Sequence, residues 1–311
     1  MQRYALFTGS CQSLPAIQYL QQSGKLACVV LIDAQPTADL IQLHNWLQQS
    51  GIQTLTYNHK SDEDLLAQLD LLAVNRGLIY MFRHKVRPTL IKYFAGHLVN
   101  IHPSPLPEYK GPFPLYWQLR NGEDTTALTL HQVTELIDSG NVATDVEIEI
   151  HPFDTMSCVQ YKVSQALAKL IAKYSQLDEE QAVVWRKQEG SGSKIAPQIE
   201  QQQLIVNWHK QTGKQIVDMA RAGNVDAGCA LFQFRQEPFQ LLQASIVGSA
   251  LTGVQAGMIV EVDRLNGLVV KTIDGVLRLD VIGTQQGVFD GYRFAVLFGL
   301  DAGLSLVQRD F

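Results

Sequence analysis

The chain has 311 residues, 46% hydrophobic and 18% charged, with 25 Lys and Arg against 30 Asp and Glu for a formal charge of −5. This composition excludes a disordered or collagen-like chain and provides for two folded domains or one large one. The slight acidic excess excludes a global field that would draw in nucleic acid or an anionic membrane surface.

The opening segment, MQRYALFTGS, is too brief an apolar run for a signal core or a membrane span, so a cytoplasmic protein with no membrane partner is expected. Residues 4–7 read as a short buried strand and 15–22 as a helix closed by Gly24. The alternation repeats with a strand over 26–32, a helix over 40–49 ending near Gly51, a strand over 53–57, a helix over 62–71 and a strand over 77–81. Strands and helices alternating at these lengths predict an α/β fold, a mostly parallel sheet with helices on both faces, whose site lies beyond the C-terminal ends of its strands.

A strand over 97–101 runs into HPSPLPEYKGPFP, which holds five of the 11 prolines and is unsuited to helix interior or central strand. Strands follow over 127–131 and 145–150. Met156, Val159, Val163, Leu167, Leu170, Ile171 and Tyr174 then fall on one helical stripe, read as core packing. A Gly, Ser, Pro and Gln cluster over 189–203 reads as a linker, giving a first domain over 1–190, a connection over 191–205 and a second domain over 206–311. In that second domain a helix through Ile216, Val217, Met219 and Ala220 ends at Gly223, and strands are expected over 258–262, 268–272 and 276–281. Asn266-Gly267 and Asp274-Gly275 are read as type I′ hairpin turns, which makes this a small antiparallel β-barrel domain. The four cysteines, Cys11, Cys28, Cys158 and Cys229, form no Cys-x-x-Cys pair, so reduced thiols and no metal site are expected.

Chemistry is expected where the strand over 97–101 delivers Asn100, His102 and Ser104 to the proline-braced loop. A second segment, HQVTELIDSGNV, carries Asp138 between two strands. An amide, an imidazole and a carboxylate are a working set for acyl transfer to an amine. Asn100 and a protonated His102 would stabilise the oxyanion, while Asp138 would raise the imidazole pKa and accept the amine's proton through water. Read singly, His102 equally fits a structural histidine and Asp138-Ser-Gly a plain turn.

The segment Asn100-Ile-His-Pro-Ser-Pro-Leu-Pro-Glu-Tyr-Lys-Gly111, followed by Asp138-Ser-Gly140, resembles the signature of the folate-dependent formyltransferases. The resemblance implies a Rossmann-like sheet with an OB-like barrel behind it. It implies Asn100, His102 and Asp138 as catalytic residues and 10-formyltetrahydrofolate as formyl donor. Arg83, His84 and Lys85, with Leu136, Ile137 and Ser139, would hold the folate, and Ser104, Tyr109, Lys110 and Gly111 the acceptor. Neither a Gly-x-Gly-x-x-Gly fingerprint nor a phosphate loop occurs, so NAD and ATP are not expected.

The C-terminal part is similar to the barrel of methionyl-tRNA formyltransferases and of UDP-amino-arabinose formyltransferases. Residues 204–311 carry nine Lys and Arg against ten Asp and Glu, too balanced for a tRNA-binding surface. The chain also passes from residues 33–36 almost directly into a helix, where the tRNA enzymes have a basic Gly-rich insertion, and residues 222–228 replace their usual Pro-Trp-Pro turn. Arg83-His84 is closer to the sugar-nucleotide enzymes. The expected acceptor is therefore a small primary amine, foremost a nucleotide-linked amino sugar. A methionyl-tRNA formyltransferase is the next reading, and a folate-binding paralogue without activity the reading from another class.

Overall fold

The structure is a computed structural model and describes all residues except 34, 36, 191, 224–227, 250 and 307–311. Residues 224–227 of the turn-replacing segment, and residues 34 and 36 of the short connection, therefore lie outside the described residues. The chain divides into two compact units, one of Met1–Pro114, Thr125–Glu149 and Gln160–Ala196, the other of Leu115–Asp124, Ile150–Val159 and Pro197–Phe311.

The first unit opens with β1 (Tyr4–Thr8), α1 (Leu14–Gln22), β2 (Leu26–Ile32), α2 (Ala38–Gln49), β3 (Thr54–Tyr57), α3 (Glu63–Leu71) and β4 (Arg76–Ile79). All five residues of β1 are buried, as a parallel strand covered on both faces requires. In α2 the Thr37 hydroxyl accepts the Leu40 N–H at 3.2 Å as N-cap, and Leu43 and Leu47, four apart, form the buried stripe. A short helix absent from the sequence reading, α4 (Pro88–Tyr93), then leads into β5 (Leu98–His102). Pro88 at its first turn has no N–H to waste, which is why a helix starts there. α5 (Pro114–Arg120) begins at the last proline of the rich loop and falls almost wholly in the second unit, and the first unit continues with β6 (Thr125–Gln132), β7 (Val142–Glu149) and most of α6 (Met156–Glu179).

The seven strands lie in the order β3-β2-β1-β4-β5-β6-β7. The first five are parallel, and β6 and β7 are antiparallel additions to β5. Strand order reverses between β1 and β4, the place where such sheets open a crevice. One core cluster joins Phe7, Val30, Tyr57, Leu69, Ile79, Leu90 and Phe94. Phe7 meets Phe82 and Phe94 edge to face at 5.8 and 6.2 Å. Each such side chain stabilises the fold by roughly 1.5–3 kcal/mol through burial. The stripe of α6 is buried from Val159 through Tyr174, as read.

The second unit holds α7 (Gly213–Gly223), β8 (Ala230–Phe234), β9 (Glu237–Ser249), β10 (Ile259–Asp263), β11 (Gly267–Lys271), β12 (Gly275–Thr284), β13 (Gly287–Asp290) and α8 (Gly291–Phe298). Its strands form one wholly antiparallel sheet, β10-β11-β12-β9-β8, with β13 on β12. Register shifts between β9 and β12 at Val276, Leu279 and Val281 are the bulges that bend long strands into a small barrel-like layer. Its core gathers Trp208, Met219, Phe232, Phe239, Leu279 and Phe294.

Two details depart from expectation. Hairpins form at both predicted positions, but Gly267 alone takes a positive φ of 75°, and neither Asn266 nor Asp274 is left-handed, so the turns are not type I′. The Asp263 carboxylate instead accepts the Leu265 and Asn266 N–H groups at 2.7 and 2.6 Å, building a three-residue loop with Gly at its left-handed exit. The 189–203 segment is also not a free crossing. Tyr109 N–H donates to the Lys194 carbonyl at 2.6 Å and Ala196 N–H to that of Lys110 at 2.8 Å, so this stretch pairs with the proline-rich loop. Among the described residues no helix is long and apolar enough to cross a membrane.

Candidate active site

Two positions apart on β5, Asn100 and His102 share one face of the sheet, and antiparallel pairing sets His131 of β6 directly opposite Asn100. The connection from β6 to β7 folds back over that face and delivers Asp138 in a left-handed conformation, φ 49°. Asp138 Oδ2 stands 3.6 Å from His102 Nδ1, and its Oδ1 3.6 Å from His131 Nε2 and 3.5 Å from Asn100 Nδ2. The three residues expected to converge do so, with the His102 and Asp138 side chains only 6% and 10% exposed.

The proline-rich loop closes the fourth side. It contains a cis Leu106-Pro107 bond and a left-handed Tyr109, φ 59°. Gly111 N–H donates to Asp138 Oδ2 at 3.1 Å. Gly111 has φ 123°, and a Cβ there would stand 2.5 Å from the Ala196 carbonyl oxygen, so only glycine brings this N–H to the carboxylate.

The carbonyl neighbours fix the imidazole tautomers. His102 Nε2 lies 2.9 Å from the Tyr109 carbonyl oxygen, which only accepts, so Nε2 carries the proton and neutral His102 presents a bare Nδ1 to Asp138. His131 Nδ1 likewise donates to the Gln132 carbonyl at 2.8 Å. Its Nε2 lies 3.1 Å from Asn100 Nδ2 and 3.6 Å from Asp138 Oδ1.

Burial lowers the His102 pKa, and the opposing pull of Asp138 and the Tyr109 carbonyl does not restore it. The expectation that the carboxylate raises this imidazole thus holds as a contribution but not as the outcome, and His102 is neutral rather than protonated at pH 7. For Asp138, burial pushes the carboxyl up, but hydrogen bonding to His131, the charges of both imidazoles and the Gly111 N–H outweigh it, and its pKa falls below the usual carboxylate value. A neutral imidazole therefore faces an ionised carboxylate across 3.6 Å, a place where an incoming proton is held by both.

The remaining expected residues divide. Leu136 and Ile137 are 72% and 64% exposed beside Asp138. Ser139 joins the cluster's rim, its hydroxyl donating to the Ile137 carbonyl at 2.8 Å and accepting from Lys110 Nζ at 3.1 Å. Ser104 and Tyr109 are buried inside the loop, the Ser104 hydroxyl donating to the Glu108 carbonyl at 2.8 Å, whereas Lys110 and Gly111 border Asp138. Arg83, His84 and Lys85 follow β4, and the described contacts of the last two run to neighbouring aromatic residues. His84 stacks on His59 at 6.0 Å, and the Lys85 carbonyl accepts from the Tyr57 hydroxyl at 3.3 Å. Sequence reasoning missed His131, although it opens the segment that carries Asp138. Its available signal was a polar side chain on the inward-facing set of a buried strand.

Residues 15–174 match the family model described as formyl transferase, and residues 198–288 the model for the formyl transferase C-terminal domain. The methionyl-tRNA formyltransferase of Pseudothermotoga lettingae is 28% identical over 213 residues, 68% of each chain. In fold the chain is similar to WlaRD, a sugar 3N-formyl transferase solved in the presence of dTDP and 5-N-formyl-THF, with a TM-score of 0.66, 18% identity, and 89% of this chain and 96% of that one covered. It is also similar to a variant of HypX from Aquifex aeolicus, with a TM-score of 0.62 and 15% identity over 100% of this chain, which spans about half of HypX (52%). With one model spanning more than half of its length and the companion model following in order, the chain belongs to the folate-dependent formyltransferase family and is an N-formyltransferase.

Proposed function

We propose that the enzyme moves the formyl group of 10-formyltetrahydrofolate onto the primary amine of a small molecule, a nucleotide-linked amino sugar, with Asn100, His102 and Asp138 as catalytic residues. The observation that carries this reading is the meeting of an amide, a neutral imidazole and an ionised carboxylate at one buried point. The donor, when bound, supplies the activated carbonyl carbon. His102 takes the amine's proton at Nδ1, Asp138 stabilises the resulting imidazolium, and that proton would pass to the folate nitrogen as its bond to the formyl carbon breaks, leaving the formamide and tetrahydrofolate. Asn100 keeps one amide hydrogen on His131, and its second, held only by the 3.5 Å contact to Asp138, turns to the formyl oxygen as negative charge builds there. Exposed Leu136 and Ile137 suit an aromatic ring system, with the backbone of Arg83, His84 and Lys85 meeting its polar edge. Lys110 and Gly111 face the acceptor. In this reading residues 1–190 form the catalytic domain, and 191–205 lead to the barrel of 206–311.

A small acceptor is supported by the balanced charge of residues 204–311 and by the likeness in fold to a sugar formyltransferase. Methionyl-tRNA as acceptor is the second reading, favoured by the relatives that carry that name. Supplying formyl-labelled donor with a panel of amino-sugar nucleotides and with methionyl initiator tRNA separates them. Label on a sugar nucleotide is expected, and label on the tRNA alone overturns the acceptor. A stable folate analogue that leaves the melting temperature unchanged overturns the donor.

A further inference from the structure

We propose that Gln188 is a positioning residue for Asp138, an inference that rests on the catalytic reading of Asp138 given above. The Gln188 side-chain nitrogen donates to the main-chain carbonyls of Asp138 at 2.9 Å and Gly140 at 2.8 Å. Those carbonyls bracket the turn in which Asp138 holds φ 49°, a left-handed conformation that costs a residue with a side chain about 1–2 kcal/mol. The Asp138 carboxylate holds that turn weakly, because only the Gly111 N–H, at 3.1 Å, lies at ordinary hydrogen-bond distance, and its contacts to Asn100, His102 and His131 are long, at 3.5 to 3.6 Å.

Gln188 is well placed to act as a clamp. Two residues before it, Arg186 and Val142 exchange backbone hydrogen bonds of 2.8 Å in both directions, which pins this segment to the first residue of β7. Both amide hydrogens are thus spent on one loop from a fixed base. Among the described residues the buried Gln188 Oε1 atom has no hydrogen-bond partner. An unpaired buried oxygen destabilises a fold and offsets part of what the two donated hydrogen bonds contribute. Releasing the clamp lets the turn relax, carrying the carboxylate away from His102 Nδ1 and the Gly111 N–H.

The test is a double-mutant cycle with Asp138→Asn and Gln188→Leu, read by kcat and KM on protein of verified fold. Gln188→Leu is expected to lower kcat about tenfold while the donor KM changes less than about threefold, as misplacement of a reacting group does. In the Asp138→Asn background the same substitution is expected to add less than about twofold, because the two act through one group. A loss under about fivefold in the single variant, or losses that multiply in the double variant, overturns the proposal. Should Gln188→Leu not fold, Gln188→Glu keeps the shape, loses both donors at neutral pH and carries the same cycle. Full activity of Asp138→Asn removes the reading of Asp138 and this proposal with it. An inactive Asp138→Asn beside a fully active Gln188→Leu removes the Gln188 proposal alone.

Discussion

Two buried carboxylates in the same unit are handled in opposite ways. Asp178, near the starting ends of β1 and β4, takes the Gln2 amide and the Arg76 guanidinium at 2.5 Å each, with His97 at 3.9 Å. Asp138 is surrounded instead by two imidazoles at 3.6 Å, an amide at 3.5 Å and one backbone N–H at 3.1 Å. One is tied to a permanent cation by short bonds, the other is loosely held beside a neutral His102 that can take a proton. Close pairing with a guanidinium makes a carboxylate a strut, whereas slack pairing with imidazoles leaves room for a proton to arrive.

The contrast breaks most visibly if Asp178→Ala is harmless. Removing it strands Arg76, whose side chain is 18% exposed, and should cost about 3 kcal/mol in chemical denaturation, with kcat at permissive temperature unchanged. His102→Ala is expected to do the reverse, lowering turnover by ~10²-fold, or about 2.7 kcal/mol in activation free energy, with a melting temperature near that of the parent. Activity within a fewfold of the parent would show that the slack carboxylate cluster is structural after all.

Acid titration sharpens the same point. The proposed mechanism needs His102 neutral and Asp138 ionised, and both pKa values are lowered, so the acid limb of kcat/KM should lie below the ordinary histidine value of 6.5. The stability contribution has the same sign. Below 6.5 the unfolded chain binds a proton that folded His102 refuses, so stability declines as pH falls until the folded pKa is reached, and the contribution of Asp138 is lost as pH falls through its own depressed pKa. An acid limb above 6.5 contradicts the assignment. The smallest effect belongs to Thr129→Val, which removes a buried 2.6 Å hydrogen bond to the Ser104 carbonyl. About 1 kcal/mol of stability and less than about threefold in kcat are expected, measured side by side.

Much of this was legible before any coordinates. The parallel alternation through β4 follows from apolar runs of strand length and glycines at helix ends, and the meeting of Asn100, His102 and Asp138 from a signature whose residue types suit one reaction. What escaped depends on sums over distant residues. His102 is neutral because burial outweighs its carboxylate, and burial is contributed by the whole unit. Gln188 sits at the edge of a stretch with no periodicity, and its partners lie about fifty residues earlier. The turn at Asn266 is set by the Asp263 side chain rather than by the Asn-Gly pair. Such side-chain to backbone choices leave no pattern of period two or 3.6 to read.

The pairing of Asn100 with His131 and of His102 with Thr129 has an evolutionary corollary. Because neighbouring strand residues point to opposite sides, the sheet works as a ruler for this chemistry. One residue inserted within β5 would aim the amide and imidazole at the wrong side of the layer and, under the proposed mechanism, abolish catalysis. Added length in the stretch over 133–136, outside both strands, would spare that alignment.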